Sequence, residues 1–160
     1  VLWLAWLAMA GARARGINFI LSVFSVAWVS DIAAYFGGRT WGRRKLAVAI
    51  SPGKSWEGVW SGMVGVLLVG GVWVLADRAL AVDSPSLYSG LLTTLGGLEM
   101  VLVVVFLTAM GVVGDLAESL VKRHAKAKDS SGLLPGHGGV LDRADALLPL
   151  FPMALALSAL

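Results

Sequence analysis

The sequence has no cysteine, which removes disulfides, thiolate metal sites and thiol nucleophiles from consideration. Its two histidines, His124 and His137, are too few for a histidine-rich zinc site. Charge is scarce as well, with 14% of the 160 residues being Asp, Glu, Lys or Arg. Soluble domains carry about 25%. Polar groups this sparse cannot cover a water-soluble globule of this size. A soluble enzyme, a disordered tail and a nucleic-acid-binding domain are therefore excluded as first readings, and nucleic acid is not expected as a partner. What the chain has in excess is apolar side chains, 58% of the total, with a mean hydropathy of +0.81. That composition points to an integral membrane protein whose partner is the lipid bilayer.

A membrane-spanning helix needs about 20 mostly apolar residues. The expected fold is all-α, a polytopic membrane helix bundle of about four full spans plus a partial one. The partial span covers Val1–Gly11, and full spans run over Ile17–Phe36, Val59–Ala76 and Leu98–Leu116. A last span begins near Ala144, where Pro149 and Pro152 would kink or break its start. The apolar residue at each end reads as a piece of a longer protein. Residues 1–160 are expected to form one transmembrane domain. Small residues recur at Gly62, Gly65, Gly70 and Gly71, where helices can approach closely. Trp41, Trp56 and Trp60 fall near span ends, as interfacial anchors do. The Val82–Gly97 connection reads as an ordinary polar linker, and no internal repeat is evident.

The charges are unevenly placed. The loop after the Ile17–Phe36 span holds Arg39, Arg43, Arg44, Lys45 and Lys54, and the segment after the Leu98–Leu116 span holds Lys122, Arg123, Lys126, Lys128 and Arg143. These ten of the 13 basic residues lie on one membrane side if every span is single, which makes that side cytoplasmic. Arg13 and Arg15 lie opposite and do not outweigh them. Asp31, Asp115, Asp142 and Asp145 gather on the same face from three different spans. Asp115, Glu118, Ser119 and Lys122 form one helical stripe, and Asp142 and Asp145 can face a common partner. Converging carboxylates in a low dielectric repel one another and take up protons unless a cation intervenes. All-oxygen ligands suit Mg²⁺, which takes one or two carboxylates together with substrate phosphates. The competing reading pairs these aspartates with Lys122, Arg123 and Arg143 as interfacial salt bridges.

Two loops suit phosphate. The segment from Lys128 to Asp145 has four glycines and a proline flanked by basic residues, so its amides can approach phosphate oxygens closely. His137, set between glycines, can donate to a phosphate or shuttle a proton, and both readings stand. His124 reads as a surface residue. The Gly53-Lys54-Ser55 triplet resembles the end of a Walker A loop. That motif needs a further glycine five residues before Gly53, where Val48 stands, and a soluble α/β context that is absent. A P-loop ATPase is rejected, while Lys54 and Ser55 stay as phosphate contacts.

The pattern resembles the phosphatidate cytidylyltransferase, or CDP-diacylglycerol synthase, family. The 27-residue stretch from Ser119 to Asp145 carries Ser119-x-x-Lys122-Arg123, Lys128-Asp129, Pro135-Gly136-His137-Gly138-Gly139 and Asp142-Arg143-x-Asp145. Upstream, Gly114-Asp115-Leu116-x-Glu118-Ser119, Asp31-x-x-Ala34-Tyr35-x-x-Gly38-Arg39 and Ser51-Pro52-Gly53-Lys54-Ser55-x-Glu57-Gly58 are similar to that family too. Ala144 and Ala146 depart from its pattern without touching a charged position. The resemblance implies transfer of CMP from CTP to phosphatidate, giving CDP-diacylglycerol and pyrophosphate for phospholipid synthesis. It also implies a bacterial inner-membrane enzyme whose site faces the cytoplasm, a requirement for Mg²⁺ with room for a second metal ion, and a homodimer. On this reading Asp115, Asp142 and Asp145 hold metal, with Asp145 a ligand or a partner of one. The catalytic set is Asp115, Lys122, Asp142, Asp145 and His137. Substrate contacts come from Asp31, Lys54, Ser55, Ser119, Arg123, Lys128, Gly138, Gly139 and Arg143.

Two rivals predict other patterns. A secondary transporter needs carboxylates near mid-membrane and a polar path to both faces. A CDP-alcohol phosphotransferase needs an Asp-Gly-x-x-Ala-Arg element, which does not occur here.

Overall fold

A computed structural model describes residues 2–125 and 144–159. Helices dominate: α1 (Leu2–Arg13), α2 (Ile17–Trp41), α3 (Trp56–Ala79), α4 (Leu87–Thr94), α5 (Gly97–His124) and α6 (Leu147–Leu157). Between α2 and α3 lies a small antiparallel hairpin of β1 (Lys45–Ala47) and β2 (Ser51–Ser55), with Lys45 opposite Ser55. Among the described residues, three helices, α2, α3 and α5, are long and apolar enough to cross a membrane. The fourth expected span is represented by α6, an apolar helix of 11 residues. The protein is a membrane helix bundle, all-α apart from the hairpin.

Every long apolar helix here exposes large side chains, among them Trp28, Leu68, Val72 and Leu102. In lipid such exposure costs nothing, and helices associate through close packing and polar contacts rather than apolar burial. The α2–α3 pair shows this. A Cβ on Gly62 would lie 3.1 Å from the Ser30 carbonyl oxygen, and one on Gly58 would lie 2.9 Å from that of Ala34. The two backbones therefore touch where glycine permits it. Gly65 meets Ala33 and Gly70 meets the Tyr88 ring, whereas Gly71 faces open space. Deeper in the bundle, Val23, Val26, Val66, Val104, Leu107 and Leu150 are fully buried. Phe24 and Phe151 pack edge to face at 5.2 Å, joining α2 to α6.

The Val82–Gly97 connection is not the polar linker its composition indicates. It folds into α4, whose Leu87, Tyr88 and Leu91 are buried in the core. Its Ser84 and Ser86 are buried rather than solvent-facing. Ser86 Oγ accepts from Ser89 N at 3.2 Å, capping α4. Leu87 N donates to Ser22 Oγ at 2.8 Å, and Tyr88 and Ser25 hydroxyls meet at 2.9 Å. Asp77, near the end of α3, accepts from Asn18 Nδ2 (2.9 Å), Ser86 N (3.1 Å) and Ser89 Oγ (2.6 Å). Asp83 accepts from Ile17 N (2.6 Å) and Asn18 N (3.1 Å). It caps α2, because Gly16 at the N-cap position, with φ of 115°, has no side chain to do so.

The prolines of α6 do not break it. Pro149 sits in the first turn, where a missing N–H leaves nothing unpaired, and the helix continues through Pro152.

Candidate active site at the charged end of the bundle

Two helix extensions build the site. α2 continues ten residues past Asp31, and α5 continues nine past Asp115. Both carboxylates thus lie a few turns inside their helices, below a layer that carries the basic residues. The hairpin between α2 and α3 folds over this end. Ser55 is its anchor, since its buried hydroxyl accepts from Gly58 N at 3.2 Å and caps α3. Arg44 N donates to both carboxylate oxygens of Glu57 at 3.2 Å. On the other side, Arg123 Nε reaches the Ile50 carbonyl oxygen at 3.4 Å, tying the hairpin turn to the end of α5.

With the hairpin so placed, Lys54 forms an ion pair with Asp115. About a quarter of each side chain is exposed (26% and 28%), so the pair is half-buried. Ser119 Oγ lies 3.4 Å from the other Asp115 oxygen, one helical turn on. Lys122 pairs with Glu118 at 3.4 Å, again one turn apart. Asp145 is brought in by close contact of α5 with the approach to α6. A Cβ on Gly114 would lie 2.9 Å from the Asp145 carbonyl oxygen and 2.8 Å from Pro149 Cγ. Glycine at 114 therefore sets how near Asp145 comes to its neighbour Asp115.

Asp145 accepts from Ala146 N at 2.7 Å. Burial pushes the Asp145 carboxyl above the usual range, and the charge of Asp115 adds to that; the bond to Ala146 and the Lys54 charge act against it. Asp31 lies within electrostatic range of Asp115, Lys54 and Asp145. Lys54 thus pairs with Asp115 of α5 and lies within electrostatic range of Asp31 on α2 and Asp145 before α6.

Beside them opens a cleft of ≈ 450 Å³, lined by Asp31, Tyr35, Arg39, Ser51, Lys54 and Ser55 among others. Arg39 donates to the Tyr35 hydroxyl at 3.0 Å. Neither residue was among the expected site residues, nor was Glu118. Their signal lay in one-turn spacing: Tyr35 and Arg39 follow Asp31 on α2, and Glu118 follows Asp115 on α5.

Of the expected site residues, Asp31, Lys54, Asp115, Ser119, Lys122 and Asp145 come together at this end. Ser55 lines the cleft while capping α3, and Arg123 braces the hairpin. Lys128, His137, Gly138, Gly139, Asp142 and Arg143 lie outside the described residues. Among the described residues, no group of three or more Asp, Glu, His or Cys side chains closes into a metal cage. The donors present are nonetheless the right kind for a hard cation. Asp115, Asp145 and Glu118 offer oxygen ligands only, and Mg²⁺ needs no more than one or two carboxylates when phosphates complete its shell.

The structure is thus an apolar bundle with an acidic, lysine-bearing cleft at one end. Residues 1–160 match the model of the Cytidylyltransferase family, and the chain belongs to that family. It is 46% identical to the phosphatidate cytidylyltransferase of Pseudomonas aeruginosa over 140 residues, 88% of this chain and 47% of the relative. It is 40% identical to that of Haemophilus influenzae over 138 residues, 86% of this chain and 44% of the relative. The Bacillus subtilis phosphatidate cytidylyltransferase is 38% identical over 145 residues, 91% of this chain and 49% of the relative. The chain spans about half the length of the curated relatives it matches.

Proposed function

We propose that the protein is a phosphatidate cytidylyltransferase, making CDP-diacylglycerol and pyrophosphate from CTP and phosphatidate. The observation that carries this reading is the convergence of Asp31, Asp115 and Asp145 on Lys54 beside the cleft. One substrate is soluble and the other is a membrane lipid. Their phosphates can meet only at the boundary layer, and a cleft at the charged end of the bundle suits that layer. In the reaction a phosphatidate phosphate oxygen forms a bond to the α-phosphorus of CTP. The α–β phosphoanhydride bond breaks, and pyrophosphate departs with its electron pair. Such transfers depend on positioning and on neutralising phosphate charge.

Asp115 and Asp145, with Asp142, would hold Mg²⁺, which when bound offsets negative charge on the phosphates; a second ion fits the same set. Lys54 and Lys122 neutralise phosphate oxygens from two sides. Ser119 orients Asp115, and Asp31 supplies the far wall of the cleft. Arg123 steadies the hairpin that carries Lys54. Lys128, Arg143, Gly138 and Gly139 grip the triphosphate, and His137 donates to it or moves a proton. Residues 1–160 act as one catalytic domain. It sits in the bacterial inner membrane with its cleft toward the cytoplasm, the side favoured by the ten basic residues, and works as a homodimer.

The test supplies labelled CTP and phosphatidate to the full-length protein in liposomes, with and without Mg²⁺. Formation of CDP-diacylglycerol only with Mg²⁺ is expected. Folded protein that makes none of this product contradicts the reading.

A further inference from the structure

Lys54 has no fixed need to face Asp115. Its backbone is held by the hairpin and by the Ser55 cap, but four methylenes let its ammonium swing. It is nevertheless drawn to Asp115, within range of Asp31 and Asp145 as well. Building on the phosphate-transfer reading above, we propose that Lys54 is a built-in counter-ion. It occupies the cation position at Asp115 until nucleotide and divalent cation enter together, then moves to the phosphates.

Two charge arguments support the exchange. A half-buried carboxylate left without a partner is strongly disfavoured, so Asp115 needs some cation at every stage. A divalent ion at Asp115 repels the Lys54 ammonium, which must leave, and an arriving triphosphate gives it a new partner. Without nucleotide, the incoming ion must displace Lys54 with no compensation. Cation and nucleotide binding are then coupled through one side chain, and the coupling is reciprocal. Lys54 is on this account a positioning residue for the cation as well as a phosphate contact.

The test reads Mn²⁺ binding directly, by electron paramagnetic resonance of the full-length protein in detergent. It is run with and without a CTP analogue carrying a methylene bridge between the α- and β-phosphorus. Wild type should bind Mn²⁺ about tenfold more tightly with the analogue, a coupling of ordinary size. Lys54→Met should bind Mn²⁺ alone about tenfold more tightly than wild type and gain little from the analogue. Lys54→Arg should resemble wild type without nucleotide, because it keeps a cation at Asp115. Unchanged or weaker Mn²⁺ binding by folded Lys54→Met overturns the proposal. So does equal Mn²⁺ binding by wild type with and without the analogue, a result that needs no variant to fold. Wild type that makes CDP-diacylglycerol but shows either pattern sinks the counter-ion role alone. Wild type that neither binds Mn²⁺ with the analogue nor makes the lipid sinks the underlying reading too.

Discussion

The bundle has two polar ends, built from similar residues to opposite effect. At one end Asp77 and Asp83 accept five hydrogen bonds between them, all from neutral N–H and O–H donors. Asn18 completes that network, donating also to the Ser84 carbonyl and accepting from Trp73 Nε1 at 2.9 Å. These carboxylates are satisfied and have a fixed task, holding α2, α3 and α4 together. At the other end, Lys54 pairs with Asp115, and Asp31 and Asp145 lie within electrostatic range of both, with few neutral donors among the described residues. Charge there is balanced by charge on a long side chain that can move. Saturation by neutral donors marks structural polarity, whereas charges left facing charges mark a place prepared for an ionic ligand.

Substitutions should therefore separate activity at one end from stability at the other. The largest expected effect is from Asp115→Asn, which should lower CDP-diacylglycerol formation by on the order of 10²–10³-fold, the scale for losing one preorganised electrostatic contact. Its unfolding midpoint in detergent should stay near wild type. Gly114→Ala should come next. Its methyl would intrude on Pro149 and the Asp145 carbonyl, moving Asp145 away from Asp115. Overpacking of this sort costs about 1–3 kcal/mol, and turnover should fall more than stability, as paired activity and denaturation assays would show. Asp77→Ala should do the reverse. It removes three hydrogen bonds, and at about 0.6 kcal/mol each in membrane proteins the loss is about 2 kcal/mol. Activity per folded molecule should be unchanged.

The smallest effect should appear at acid pH. The Ile17 and Asn18 amides hold the Asp83 carboxyl below the usual range. A group with a lowered folded pKa contributes stability above its unfolded value, about 3.9, and loses it as pH falls through the folded value. Wild type should therefore lose thermal stability below about pH 4 more steeply than Asp83→Asn. Parallel melting curves of the two proteins across that range would remove Asp83 as the α2 cap.

Much of this contrast was legible in the sequence, and the gaps have physical causes. The three long spans follow from apolar runs, although α2 and α5 extend to Trp41 and His124, beyond the hydrophobic stretches that announced them. Polar residues past a span continue a helix as readily as they end it. α4 was missed because Ser84, Ser86 and Ser89 read as linker, when two of them cap or bind acceptors in three dimensions. Charge gathering at one face was visible, but the partners were not. Asp115 pairs with Lys54, more than 60 residues away, rather than with a neighbour on its own loop. Lys122 pairs with Glu118, and Arg123 with a backbone carbonyl. Spacing fixes contacts along one helix; contacts between helices depend on the close approach that Gly58, Gly62 and Gly114 permit.

The most direct measurement compares Asp115→Asn and Asp77→Ala in the same full-length background, scoring CDP-diacylglycerol formation and unfolding on each preparation. A crossed result is expected: Asp115→Asn folded and nearly inactive, Asp77→Ala active and less stable. Equal loss of activity in both variants, or full activity in Asp115→Asn, would contradict it.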